Sequence, residues 1–149
     1  MADALAQQIM ERIKVDLESI LIVNGAVKDI VTVKDRKIVP WKADELPAID
    51  IKDLSSTVTK NGSNHMNELT ITLELKTTGT DHVKDSRNFS SDIVNVLGSD
   101  FKLNNLIQKM SAIDVESTDD EQEQAKYTTT TLTFTATYIT PIFNQFTLD

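Results

Sequence analysis

Two segments of this chain alternate strictly between apolar and polar residues, and that alternation restricts the fold more than any other feature. Between Glu68 and Thr78, Leu69, Ile71, Leu73 and Leu75 take turns with Thr70, Thr72, Glu74 and Lys76. Near the C-terminus, Leu132, Phe134, Ala136 and Tyr138 take turns with Thr131, Thr133, Thr135 and Thr137. Successive side chains on a strand point to opposite faces, so each segment buries one face and leaves the other in water. Antiparallel sheets carry that pattern, whereas parallel sheets covered on both faces read as unbroken apolar runs. Threonine is a good strand former and dresses the polar face.

The other elements follow from the same reasoning. Leu5, Ile9, Ile13, Leu17 and Ile20 recur at helical spacing and predict an amphipathic helix over 5–20, with Asp3 as N-cap and Asn24-Gly25 as the stop. Val27–Val33 and Lys37–Val39 read as two short strands around the turn Lys34-Asp35-Arg36, with Pro40 ending the pairing. After the polar connector Trp41–Glu45 comes a short strand from Leu46 to Leu54. Ser55–Asn67, rich in Ser, Thr, Asn and Gly, reads as an exposed hairpin tip or a long loop. A second helix spans about 82–97, capped by Thr80 or Asp81, with Phe89, Ile93 and Leu97 on its buried stripe and Gly98 at its stop. The apolar residues between Phe101 and Met110 show no clean period. Ile113–Ser117 is a further strand, and Ser117–Gln124 a solvated acidic turn before the last one. The expected fold is α+β: a mainly antiparallel sheet with two helices packed on one face, forming a single domain over 1–149.

Composition narrows the function. The chain has no cysteine, which excludes disulfide scaffolds, thiolate zinc sites and cysteine nucleophiles. Its net charge of −8, from 15 basic and 23 acidic residues, disfavours tight binding to nucleic-acid phosphates. It contains no run of 18 apolar residues and no basic region ahead of an apolar one at its start, so neither a membrane span nor a signal peptide is expected.

Few constellations could carry chemistry. His65 and His82 lie 17 positions apart on different elements, without a metal-binding spacing. The four glycines form neither a phosphate-cradling loop nor a nucleophile elbow. The acidic run Asp119–Glu123 lacks the alternating ligands and central glycine of an EF-hand loop. Asp50 followed by Glu74-Leu75-Lys76 loosely resembles the acidic and Glu-x-Lys arrangement of metal-dependent nucleases, in which two carboxylates hold a divalent ion and a lysine assists the attacking water. The polar face of an alternating strand carries such residues in any case. No metal, cofactor or catalytic residue is therefore expected. The tail Pro141–Leu148, with Phe143 and Phe146, either packs back over the sheet or helices or meets another subunit.

The order of elements resembles the tail-terminator (tail-completion, minor tail protein) family of long-tailed bacteriophages. The resemblance rests on the helix Leu5–Ile20, the connector Pro40-Trp41-Lys42-Ala43-Asp44-Glu45 leading into Leu46-Pro47-Ala48-Ile49-Asp50-Ile51, the strand Glu68–Leu75, the helix His82–Leu97 and the strand pair Ile113–Ser117 and Tyr127–Tyr138. It implies a structural virion protein and not an enzyme, made in the bacterial host cytoplasm. It also implies a homo-oligomeric ring, typically of six copies, on the head-proximal end of the tail tube. Its partners would be further copies of itself, the tail tube protein and a neck or head-completion protein, with no specific nucleic acid and no membrane. The ring would end tube polymerisation and present the head-joining surface. Asn61 and His65 in the Ser55–Asn67 loop, Asp119, Asp120 and Glu121 in the acidic turn, and Phe143 and Phe146 in the tail are the candidate contact residues. Three alternatives stand beside it: a neck or head–tail joining protein, a nuclease using Asp50, Glu74 and Lys76, and a binding domain with no phage role.

Overall fold

The computed structural model describes residues 3–37, 39–122 and 125–148. Its elements, in chain order, are α1 (Leu5–Glu18), β1 (Thr32–Asp35), β2 (Ala48–Asn61), β3 (Asn64–Thr78), α2 (His82–Ser99), β4 (Lys109–Met110), β5 (Asp114–Gln122) and β6 (Ala125–Pro141). The strands form one sheet in the order β1-β2-β3-β6-β4, with β5 also on the outer side of β6. All pairings are antiparallel except β1 with β2. The fold is α+β, as the alternation implied.

β3 is the central strand. Fifteen of its residues are in register with β6, from Asn64 opposite Pro141 to Thr78 opposite Tyr127. On its other side it pairs with β2 from end to end, with one irregularity between Asp53 and Ser55 that leaves Leu54 unpaired. The registers place Ile49, Ile51, Leu69, Ile71, Leu73, Leu75, Leu132, Phe134, Ala136 and Tyr138 on one face, and these side chains are buried. Against that face lie α1, through Leu5, Ile9, Ile13 and Leu17, and α2, through Phe89, Ile93 and Leu97. Thr70, Thr72, Thr129, Thr131, Thr133 and Thr135 occupy the opposite face, which no helix covers.

Several boundaries differ from expectation. α1 stops at Glu18, and the left-handed Gly25 instead closes a separate turn of 3₁₀ helix at Ile22–Asn24. Ala4, not Asp3, sits at the N-cap position, and no side chain caps it. α2 runs through Gly98 to Ser99, and its N-cap Asp81 makes no side-chain capping bond. The hairpin expected over 27–39 does not form. Only Thr32–Asp35 is extended; it joins β2 in parallel, and Ile38 lies outside the described residues. Arg36 takes a left-handed conformation (φ 55°) that breaks the strand, while its guanidinium binds the Asp53 carboxylate at 2.6 Å. Ser55–Asn61 and Ser117–Gln122, read as loop and turn, are strand continuations held by the ladders to β3 and β6. Between α2 and β4, Leu103, Asn104 and Asn105 are all left-handed, which explains the absence of any period there.

The two helices are tied by a carboxylate pair. Arg12 Nε on α1 donates to Asp100 Oδ2 after α2 at 2.7 Å and lies 3.6 Å from Asp16 Oδ1. Asp16 is buried, and its Oδ2 has no partner among the described residues. Burial first, then hydrogen bonding and like charge from Asp100, push Asp16 from 3.8 up to about 7. Burial also works against Asp100, but hydrogen bonds from Asp16, Arg12 and the Asn104 amide hold it below the ordinary range.

Two predictions follow from the packing. Leu73 is fully buried in the core, whereas Thr72 lies on the opposite face, itself only 8% exposed, and its hydroxyl has no partner among the described residues. Leu73→Ala should cost about 2–5 kcal/mol in denaturant unfolding, and Thr72→Val, which keeps the shape and removes an unpaired hydroxyl, should cost nothing. Equal losses would contradict the assignment of faces. Asp16 sets a pH dependence. Its folded pKa is raised, so between pH 3.8 and about 7 the native state holds more protons than the unfolded one. Its contribution is complete below that window and is lost as pH rises through it. The melting temperature should therefore fall from about pH 4 to about pH 7, and Asp16→Asn should flatten that slope. Asp100 acts with the opposite sign at more acidic pH, where its protonation weakens the clamp.

Candidate functional site

The residues singled out in the sequence fall into three places on the sheet. The first is the open face at the start of β2. Asp50 and Glu74 are directly opposite each other across β2 and β3, and Lys76 lies one same-face position along. Chain order had placed them apart; the ladder brings them together. Their environment is that of a closed ion-pair network. Asp50 Oδ1 accepts the Lys37 amide at 2.8 Å. The Lys52 ammonium lies 3.5 Å from Asp50 Oδ2 and 3.4 Å from Glu74 Oε2, in the space between the carboxylates that a cation would take. Lys76 is turned over the Tyr127 ring, 4.8 Å from its centroid, rather than toward the pair. Lys37 is likewise held, 3.1 Å from Glu45 and 4.3 Å from the Trp41 centroid. These groups surround a mixed-charge cavity of about 330 Å³. Among the described residues no group of three or more His, Asp or Glu side chains is arranged to hold a metal ion.

The second place is the end of the sheet where β2 turns into β3. Asn61 is paired with Asn64 across the turn at left-handed Gly62, and His65 follows on β3. The tail folds back onto this end. The His65 ring meets Phe143 edge to face at 5.1 Å, and the Phe143 amide points to His65 Nδ1 at 3.5 Å. Asn67 anchors the tail, although nothing in the sequence reading had marked it. Fully buried, it donates from Nδ2 to Thr140 Oγ1 (3.0 Å) and the Tyr138 carbonyl (3.2 Å), and it accepts from Gln145 Nε2 at 2.9 Å. The Gln145 carbonyl in turn accepts the Leu5 amide at 2.9 Å, satisfying one free donor at the start of α1. The tail packs back onto the domain through its backbone, while its aromatic side chains stay exposed. Phe143 is 91% exposed and Phe146 51%, and the hairpin adds Val58 at 46%.

The third place is the opposite end, where β5 meets β6. Asp119 is in a strand and not a turn, opposite Thr128. Its Oδ1 accepts the Thr128 hydroxyl at 3.0 Å, so Thr128 in turn accepts from His82 Nδ1 at 2.6 Å and fixes the tautomer of that ring. Thr130 continues this row of hydroxyls, bonded to Ser86 on α2 and to Ser117 on β5. Asp120 and Glu121 are paired through their backbones with Tyr127 and Lys126, and their side chains, like residues 123 and 124, lie outside the described part. Beside this row, α2 and β5 leave a groove of about 450 Å³ lined by Arg87, Ser90, Val94 and Val115.

The His65 and Asp119 regions are separated by nearly the full length of β3. His65 and Thr77, the latter bonded to Thr128, are 12 residues apart, about 40 Å at the rise of an extended strand. The sheet thus presents Phe143 and Phe146 at one end and Asp119 at the other.

No protein-family model and no curated protein sequence matches this chain. Among solved structures, a chain from "Virion of native gene transfer agent (GTA) particle" aligns over 90% of each chain at 12% identity with a TM-score of 0.39. That likeness is too slight to assign a fold or a role to this chain.

The tail anchor is open to a direct test. Asn67→Ala removes the side-chain hydrogen bonds to Tyr138, Thr140 and Gln145 and should cost about 1–3 kcal/mol. It should also expose the C-terminal segment to limited proteolysis, whereas Phe143→Ser should leave the melting temperature unchanged.

Proposed function

We propose that this chain is a structural virion subunit of the tail-terminator type, forming a ring on the head-proximal end of a phage tail tube. The ring ends tube polymerisation and offers the surface to which the head is joined. It works by binding alone, with no bond made or broken.

One observation carries this reading: exposed aromatic and aliphatic side chains are fixed at one end of a rigid sheet, and a chemically different surface lies at the other. Phe143 is held in the open by a backbone bonded to α1 and β3, a cost in water that a contact surface offsets. Two unlike surfaces at opposite ends suit heterologous contacts, which build rings, and also suit a subunit that meets different partners above and below. The element order that resembles tail terminators supports the same assignment. The mixed-charge cavity supports it from the other direction, because the Lys52 ammonium sits between the two carboxylates that a nuclease would give to a metal.

The test is light scattering across the size-exclusion peak, followed by incubation with purified tail tubes. The reading expects a ring of about six subunits with an open centre, and tubes that no longer elongate once the protein is bound. A protein that neither forms a ring nor binds tubes would overturn it. Binding to heads or isolated neck complexes without binding to tubes would favour the joining-protein alternative.

A further inference from the structure

We infer that the free outer edge of β2, Leu54–Asn61, pairs with β5 of a second copy of this chain, so that one sheet continues from subunit to subunit. The choice of a second copy as occupant rests on the ring reading; the pairing itself rests on the two edges.

Both edges are long and unpaired. β1 covers β2 only from Ala48 to Ile51, and Arg36 reaches as far as Asp53. Beyond that the eight residues Leu54–Asn61 are all exposed and bond through their backbones only to β3. On the far side of the sheet the nine residues of β5 pair with β6, and no strand lies beyond them among the described residues. Each edge exceeds the usual strand length of about 5–6 residues and is a template for another chain.

The geometry and the charges select which chain. β2 is antiparallel to β3, β3 to β6, and β6 to β5, so β2 and β5 run in opposite directions. A second copy in the same orientation, with its helices on the same side, therefore brings its β5 antiparallel to β2, the more stable way for two strands to pair. β5 carries Asp114, Glu116, Asp119, Asp120 and Glu121 with no basic residue, whereas the free edge of β2 carries Lys60 and no acid. Two β5 edges repel each other, and β5 against β2 does not. Val58 and Val115, each 46% exposed, both lie on the helix side of their strands. The register that sets Val58 opposite Val115 also sets Thr57 opposite Glu116 and Ser55 opposite Thr118 on the open side.

The chain has no cysteine, so disulfide trapping starts from a clean background. Cα atoms of facing residues on antiparallel strands fall within disulfide reach. The double variant Thr57→Cys/Glu116→Cys, mildly oxidised, should give a ladder of covalent oligomers on a non-reducing gel. Its yield should exceed by about tenfold that of Val58→Cys/Glu116→Cys, whose side chains lie on opposite faces. Thr57→Cys/Thr118→Cys tests the register one pair along. All four positions are exposed, and melting curves check that each variant folds. No ladder from either face-matched pair would overturn the inference. So would a single Thr57→Cys variant that dimerises as well as the double variant, because that marks β2 pairing with its own copy. Light scattering on the same unoxidised samples shows separately whether a ring is present, so the pairing can fail while the ring stands.

Discussion

The β3 ladder is the constraint on which the rest of the structure depends. β3 pairs with β6 over fifteen residues without a shift, and its odd-numbered side chains from Asn67 to Thr77 all enter the core. Because the side-chain period is two, a slip of one residue would turn Leu69, Ile71, Leu73 and Leu75 to water and the threonines inward. Burial therefore fixes the register along the whole strand, including the hairpin end beyond Asn67. Both ends of the sheet inherit it: the hairpin tip and the β5–β6 strands extend a ladder whose register is set in the middle.

The same physics explains which parts of the fold were legible. Alternation identified β3 and β6 because each has one dry face, and the helical stripes identified α1 and α2 for the same reason. Ser55–Asn61 and Ser117–Gln122 read as loop and turn because Ser55–Asn61 and Ser117–Asp119 are exposed on both faces, so no alternation is written into them. Their extended form is imposed by the neighbouring strand through backbone bonds, which leave no trace in side-chain chemistry. The hairpin expected over 27–39 failed for a different reason. Val27 and Val31 are strand-formers by propensity but stay exposed, and the chain is directed by Arg36 and its bond to Asp53, 17 residues away. Gly98 likewise carried the composition of a stop signal without the left-handed backbone that makes one.

The candidate sites were legible to different degrees. Glu74 and Lys76 were rightly read as sharing a face, but Asp50 joins them only through the β2–β3 register, and Lys52, which lies between the carboxylates, was not part of that pattern. Asn67 did leave a signal: it stands in phase with Leu69, Ile71, Leu73 and Leu75, a polar residue at a core position. A buried amide must find partners, and its hydrogen bonds account for the path of the tail. The exposed Phe143 and the buried Asn67 are thus one device, in which the polar residue fixes the backbone that displays the aromatic one.

The acidic composition of β5 can be understood in the same terms. Charge along an edge is a common protection against sheet-to-sheet aggregation, and five carboxylates on one strand make contact with an identical strand unfavourable. Such protection is selective rather than total, because it leaves open any uncharged or basic edge of matching length. The sheet has one at its other margin. The acidic β5 edge disfavours a symmetric β5–β5 dimer, and head-to-tail pairing of β5 with the β2 edge avoids that repulsion. Whether head-to-tail pairing ends as a closed ring or an open filament depends on the offset between the edges. They lie at opposite ends of β3, so successive copies are displaced along the strands. Closing a sheet on itself requires such a stagger, with the strands inclined to the ring axis.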